Sequence, residues 1–257
     1  MLAQDYPILE FDHERAAMIE PTRRAPIPGL PERCVVCFFN DVLQALDEGE
    51  IVTTAVVHHL NSEIGKHPVY VMEHEDQPFT VFHPGVGAPL SATFLEAVIA
   101  LGCNRFIACG GAGALNADLV LGHVVVPTSA VRDEGTSYHY LPASREVSPS
   151  AEAVAAIEAT LTAHDVPYVA GKTWTTDGLF RETRAKVLQR REEGCLTVEM
   201  EAAAFFAVAQ FRDVVFGQLL YSGDDLSGEE WDSREWDSQT STREKLFWLA
   251  AETVFKL

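Results

Sequence analysis

Two carboxylates flank one methionine in Thr197-Val198-Glu199-Met200-Glu201-Ala202-Ala203-Ala204, where an apolar run from Cys195 to Val198 gives way to an alanine-rich stretch ending at Gln210. Acids are favoured at a helix N-terminus, where the dipole is positive. An unpaired carboxylate at the end of a buried strand is costly, so it has a partner. A ribose diol fits that need: two hydroxyls donate to one carboxylate while the methionine packs under the sugar ring. The fragment also reads as a capped helix start with Glu199 or Glu201 in an ion pair. Two glycine-rich runs accompany it, Val81-Phe82-His83-Pro84-Gly85-Val86-Gly87-Ala88-Pro89 and Phe106-Ile107-Ala108-Cys109-Gly110-Gly111-Ala112-Gly113-Ala114-Leu115. Glycine permits positive φ and close approach of a ligand to the backbone. Neither run is a G-x-G-x-x-G in the right setting or ends in G-K-[ST], which argues against dinucleotide and ATP sites. There is no G-x-S-x-G elbow for a serine hydrolase. The nine histidines form no H-E-x-x-H pattern, and the acids around Asp224-Asp225 do not follow EF-hand spacing, so no metal is expected.

The elements that position these residues alternate along the chain. Near-continuous apolar, β-branched runs predict strands at Arg33–Phe39, Val69–Glu73, Phe79–His83, Arg105–Cys109, His123–Pro127, Tyr168–Thr173, Cys195–Val198 and Val214–Tyr221. Helices are predicted at Asp41–Leu46, Pro89–Leu101, Ser150–His164, Glu182–Arg191, Met200–Gln210 and Thr240–Phe255. Pro89 suits a first helical position and Gly102 a stop. The alternation predicts an α/β fold with a mixed, largely parallel sheet, whose ligands bind beyond the strand C-termini. Residues 1–32, rich in Pro and mixed charge, read as an N-terminal arm with a short strand at Arg15–Ile19. Residues 33–257 read as one domain.

With 47% hydrophobic residues the chain can bury a full core, and its net charge of −19 argues against nucleic acid or an anionic membrane surface as partner. Five cysteines, an acidic N-terminal stretch without a leader pattern and no long apolar run predict a reduced, cytoplasmic protein. Cys34-Val35-Val36-Cys37 has C-x-x-C form, but residues three apart on a strand face opposite ways, so both read as core thiols.

Taken in order, the two glycine runs, Val198-Glu199-Met200-Glu201-Ala202-Ala203 and Tyr221-Ser222-Gly223-Asp224-Asp225 resemble the nucleoside phosphorylase-I family, which spans purine nucleoside and uridine phosphorylases and hydrolytic nucleosidases. The resemblance covers about residues 33–257. It implies a three-layer α/β/α sandwich around a mixed, distorted barrel-like central sheet, and a homo-oligomer. It further implies an enzyme that cleaves the N-glycosidic bond of a nucleoside, without a cofactor, and with inorganic phosphate as co-substrate in the phosphorylases. By the same resemblance Glu199, Met200 and Glu201 hold the ribose. Asp224 faces a purine and acts as general acid or hydrogen-bond donor at N7, which requires a raised pKa. Arg243 pairs with that Asp. Phe180 and Arg184 lie against the base, Arg184 near an Arg of the uridine phosphorylases.

The departures bear on the nucleophile. The family's phosphate-binding Gly-Asp-Pro-x-Arg segment is replaced by Asn40-Asp41-Val42-Leu43-Gln44, which puts Gln44 where the Arg stands. Ala108 and Gly111 replace a second Arg and a hydroxyl residue, and His58, His59 and Lys66 stand in the region of a third Arg. A dianion here relies on backbone N–H groups around Gly85, Gly87, Gly110 and Gly111, on Asn40 and Gln44, or on Arg132 and Arg181. Were Arg15–Ile19 the first strand, Gly29-Leu30-Pro31-Glu32-Arg33 would take the place of the phosphate segment. Water therefore competes with phosphate as nucleophile, and a non-catalytic nucleoside-binding protein is a third reading.

Overall fold

Along the first strand, β1 (Arg33–Cys37), Cys34 and Val36 turn to one side and Val35 and Cys37 to the other, and this alternation divides the molecule into layers. On one side Cys34 and Val36 join Phe106, Ala108 and Phe216 against two helices, α2 (Ala88–Leu101) and α5 (Ala202–Arg212). On the other, Val35, Cys37, Ile107 and Leu219 pack against α1 (Asn40–Glu48), α3 (Ala151–Ala163) and α6 (Thr240–Val254). Both sheet faces are covered, which is why the strands read as apolar runs rather than as alternating ones. The computed structural model describes residues 4–23, 26–49 and 54–257, so positions 1–3 and 24–25 of the arm lie outside the described residues.

The central sheet closes on itself. β5 (Arg105–Ala114), β10 (Val215–Asp225), β6 (Val124–Asp133), β8 (Tyr168–Thr176) and β9 (Cys195–Glu199) bond in that order, and β9 returns to β5. From β5 the sheet continues through β1 to β4 (Gln77–Phe82), β3 (Gly65–His74) and β2 (Thr54–Ser62). A two-residue strand, β7 (Glu146–Val147), edges onto β6. A last helix, α4 (Arg184–Glu192), packs against β9. This is the distorted barrel-like α/β/α sandwich that the motif series implies. Among the described residues no helix is long and apolar enough to cross a membrane.

Two details of this sheet set up the site. The C-terminal ends of β5 and β9 meet in a short antiparallel pair, Gly113 opposite Val198, which brings Glu199 beside the glycine run. β10 keeps register with β5 from Val215↔Arg105 to Ser222↔Ala112 and then skips to Asp225↔Ala114, so one extra residue sits in β10. The Ser222 hydroxyl and the Arg234 guanidinium both donate to the Leu119 carbonyl, and Arg234 is ion-paired with Asp225. Ser222 and Asp225 therefore face one way, and Asp224 the other.

Several expectations are corrected. The second glycine run is not a turn beyond a strand but the second half of β5, bonded to β10 and β9. Its glycines are needed for space: a Cβ on Gly110 would come within 3.1 Å of the Phe38 ring, and one on Gly111 within 3.1 Å of Tyr221. Only the first run uses positive φ, at Gly85 (79°) and Gly87 (89°), where β4 turns into α2. Arg15–Ile19 forms no strand. Arg15 instead reaches Asp213 and the Phe211 carbonyl at the end of α5, so Gly29–Arg33 does not follow a first strand and loses its place as a phosphate segment. β2 and β7 were not predicted; β2 is polar (Thr54, His58, His59, Asn61, Ser62) and ends the sheet, where alternation is not enforced by burial.

Candidate active site

The C-terminal ends of β1, β5, β9 and β10 open onto one cleft of about 290 Å³. Its wall includes Met200, Glu201, Asp224, Arg243, and Gly110 to Gly113. Sequence positions more than 100 residues apart thus share one hollow.

Glu199 and Glu201 divide the two roles that their fragment allows. Glu199 closes the strand-to-helix junction. Its Oε2 accepts from the backbone N–H of Glu201 (2.7 Å) and Ala202 (2.6 Å), and its Oε1 from the Thr175 hydroxyl (2.6 Å). Thr175 in turn accepts from the N–H of Ala203 (2.9 Å). Both oxygens are thus engaged by the protein, which corrects the expectation that Glu199 holds a ligand's hydroxyls, although it lies in the cleft wall. Burial pushes its pKa up to about 7 against these donors. Glu199→Gln puts an amide N–H₂ against donors, and leaving one of them unsatisfied in a buried place costs about 2 kcal/mol. The expected result is a Tm lower by roughly 4–8 °C in a thermal melt; an unchanged Tm would reject the cap.

Glu201 is 6% exposed; its Oε1 accepts from the N–H of Gly87 at 2.5 Å, and the Met200 backbone also stabilises its charge. Its carboxylate lines the cleft, where a ligand can reach it. Burial first, and then the neighbouring Glu199, push its pKa up to about 8. The positive φ at Gly87 lets the first glycine run aim that N–H at the carboxylate while it starts α2.

Asp224 stands at the other end. Burial raises its pKa, and the nearby Asp225 adds to this, while a hydrogen bond from Trp231 opposes it. The Trp231 indole N–H donates to Asp224 Oδ2 at 2.7 Å. Glu182 faces the same space, and burial and then the Asp224 charge push its pKa up to about 7. Arg243 does not pair with Asp224, a correction. It lies over the Phe39 ring, with Asp41 at 3.0 Å and the Asp237 carbonyl at 3.0 Å. The reason is topological: α6 starts above α1, whose first turn carries Asp41.

Other candidates lie elsewhere. Phe180 is 95% exposed, and its neighbour Leu179 lines the cleft instead, because the single 3₁₀ turn at Leu179–Arg181 points successive side chains apart. Arg184 donates to the carbonyls of Ser227 and Gly228 and so ties α4 to the segment after β10. Arg132 is buried away from the cleft, bonded to Ser137, Ser144 and the carbonyls of Leu141 and Pro142. Asn40, Gln44 and Gly85 line a separate hollow with Lys66 and His83, which meets the cleft at Val86. His83 has both ring nitrogens engaged, by Gly85 and the Phe38 carbonyl, and burial lowers its pKa. Among the described residues lining the cleft, Arg243 is the single Arg or Lys.

Sequence reasoning missed Glu182, Gln218 and Trp231. Glu182 was passed over for Phe180 and Arg184 beside it. Gln218 is one polar residue in an apolar strand, 1% exposed, and its Oε1 in the cleft wall has no protein partner; a buried polar residue in such a run was the available signal. Cys34 and Cys37 point into opposite layers, and no group of His, Cys, Asp and Glu among the described residues could hold a metal.

Known proteins share the sequence pattern and the fold of this chain. A family model described as the phosphorylase superfamily matches residues 32–253. A guanosine phosphorylase from Halorubrum lacusprofundi is 26% identical over 195 residues, 76% of this chain and 75% of the relative. A uridine phosphorylase structure from Vibrio fischeri ES114 superposes with a TM-score of 0.76 at 23% identity, covering 91% of this chain and 98% of the other. An AMP nucleosidase structure from Bacteroides thetaiotaomicron gives a TM-score of 0.70 at 21% identity, with 88% of each chain covered. At these identities the structural likeness concerns the fold.

Proposed function

Because this chain belongs to the phosphorylase superfamily, we propose that it cleaves the N-glycosidic bond of a nucleoside, a purine nucleoside by preference, and passes the ribosyl group to inorganic phosphate. The observation that carries this reading is the shared cleft: the Glu201 carboxylate, held by the Gly87 N–H, and Asp224, with a raised pKa, line the same hollow. Glu201 accepts the ribose 2′- and 3′-hydroxyls, with Met200 beneath the ring. As the C1′–N9 bond breaks, positive charge grows on the sugar, and the hydroxyl contacts to the Glu201 anion strengthen. The bond's electron pair moves into the imidazole part of the purine, and the Asp224 carboxyl delivers a proton to N7. The nucleophile completes the substitution at C1′.

Two observations favour water as a second reading of the nucleophile. Arg243, the cation of the cleft, already faces Asp41. The Gln218 side chain, whose Oε1 has no protein partner, is neutral: it can hold a water molecule by a hydrogen bond but does not offset the charge of a phosphate dianion. The test incubates the protein with inosine, adenosine, guanosine and uridine, with and without phosphate, and measures free base. Base released only with phosphate supports phosphorolysis, and release without it supports hydrolysis. Binding without release on any substrate would reject the enzyme reading.

A further inference from the structure

The chain after β10 folds back over the cleft as a strap. Asp225 and Asp232 exchange two backbone hydrogen bonds of 2.8 and 3.0 Å, Arg234 joins Asp225 to the Leu119 carbonyl, and the Tyr221 hydroxyl donates to the Trp236 carbonyl at 2.9 Å. Arg184 holds the carbonyl of Ser227 from the other side at 3.3 Å. Trp231 thus occupies a fixed place, one residue from the Asp225–Asp232 bridge, although its ring is 64% exposed. Its contribution to the fold is therefore small, and its indole N–H is spent on one atom, Asp224 Oδ2.

We propose that Trp231 is a positioning residue for the reaction: its N–H decides which oxygen of Asp224 carries the proton. An indole N–H is a donor only. Oδ2 must then remain an acceptor, since a proton there would be directed against the indole hydrogen. When Asp224 is protonated, the hydrogen sits on Oδ1. That oxygen lies at the glycine floor, 3.3 Å from where a Cβ of Gly113 would be. The strap thus presents an O–H toward the departing base and prevents the carboxyl from turning its bare oxygen there. Glu182 and Asp225 favour the protonated form of Asp224, Arg234 and Trp231 itself oppose it, and Tyr221 lies within range of its charge. This inference rests on the proposed nucleoside cleavage.

The test is Trp231→Phe, which keeps the aromatic ring and removes the donor. Turnover of a purine nucleoside is expected to fall about tenfold or more, with KM within about threefold. Loss of a donor to the carboxylate raises the Asp224 pKa, so the descending limb of the kcat–pH profile moves to higher pH. A p-nitrophenyl riboside, whose leaving group needs no proton, is expected to lose far less. Equal losses on both substrates would overturn the proposal, as would an unmoved pH limb. The ligand-free protein supplies an independent measurement: the Asp224 carboxyl, followed by ¹³C NMR and assigned with Asp224→Asn, is expected to titrate at higher pH in the variant, and an unchanged titration overturns the proposal. If the wild-type protein cleaves neither substrate, the function reading fails. The NMR shift still decides whether Trp231 governs the Asp224 proton.

Discussion

Glu201→Gln lowers kcat/KM for nucleosides by about two to three orders of magnitude and leaves the melting temperature within a few degrees of wild type. The glutamine can keep the Gly87 hydrogen bond through its carbonyl oxygen. It then offers an N–H₂ to the ribose hydroxyls, which need an acceptor. A 2′-deoxynucleoside, already lacking one of those hydroxyls, is expected to lose less on the same substitution, and steady-state kinetics on the four combinations measures the coupling. The pH dependence has a definite sign. Burial and Glu199 hold the Glu201 pKa up to about 8 in the free protein, so the acceptor form gains population as pH rises toward 8, and kcat/KM rises with it. Hydroxyls donating to the anion lower that pKa in the complex, so the matching limb of kcat lies at lower pH. In the glutamine variant this limb is gone. Parallel pH profiles for variant and wild type would exclude Glu201 as the titrating group.

Asp224→Asn is expected to lower purine nucleoside turnover by about two orders of magnitude or more, while uridine, which has no N7, is affected much less. An asparagine can hydrogen-bond N7 but cannot deliver a proton to it. The raised pKa of Asp224 follows from burial, with Asp225 adding to it, and the same surroundings bring Glu182 up to about 7. Removing the Asp224 charge relieves Glu182, whose pKa then drops toward the ordinary carboxylate range. Equal losses on purine and pyrimidine substrates would remove the base-facing role from Asp224.

The strands and helices around these residues were legible because burial on both faces leaves little choice of residue. The β-branched and aromatic runs Cys34–Cys37, Phe106–Cys109 and Phe216–Tyr221 read as covered strands, and the alanines after Glu201 as a buried helix. The site was legible where a motif coincides with an element boundary, as at Glu199–Glu201. It was not legible where a side chain's direction depends on a tertiary choice. Which of Glu199 and Glu201 caps the helix is decided by Thr175, 24 residues upstream, whose hydroxyl claims Glu199. Arg243 faces Asp41 because of how α6 crosses α1, which no local pattern encodes. Leu179 rather than Phe180 meets the cleft because a single 3₁₀ turn separates neighbours that a sequence shows only as adjacent. The glycines of β5 looked like a turn because spacing alone cannot separate a need for positive φ from a need to admit the rings of Phe38 and Tyr221.

The unmatched residue near the end of β10 has a consequence for how this molecule tolerates change. Were the ladder to run on in regular register, Asp224 in place of Asp225 would stand opposite Ala114, take the phase of Ser222 and point to the Leu119 side, leaving the purine end of the hollow with no acid from that strand. A ladder free of the bulge is compatible with the fold and keeps its pairing unbroken. Selection for thermal robustness alone would therefore erode this misfit, and stabilised descendants that have lost it should be sought among the inactive ones.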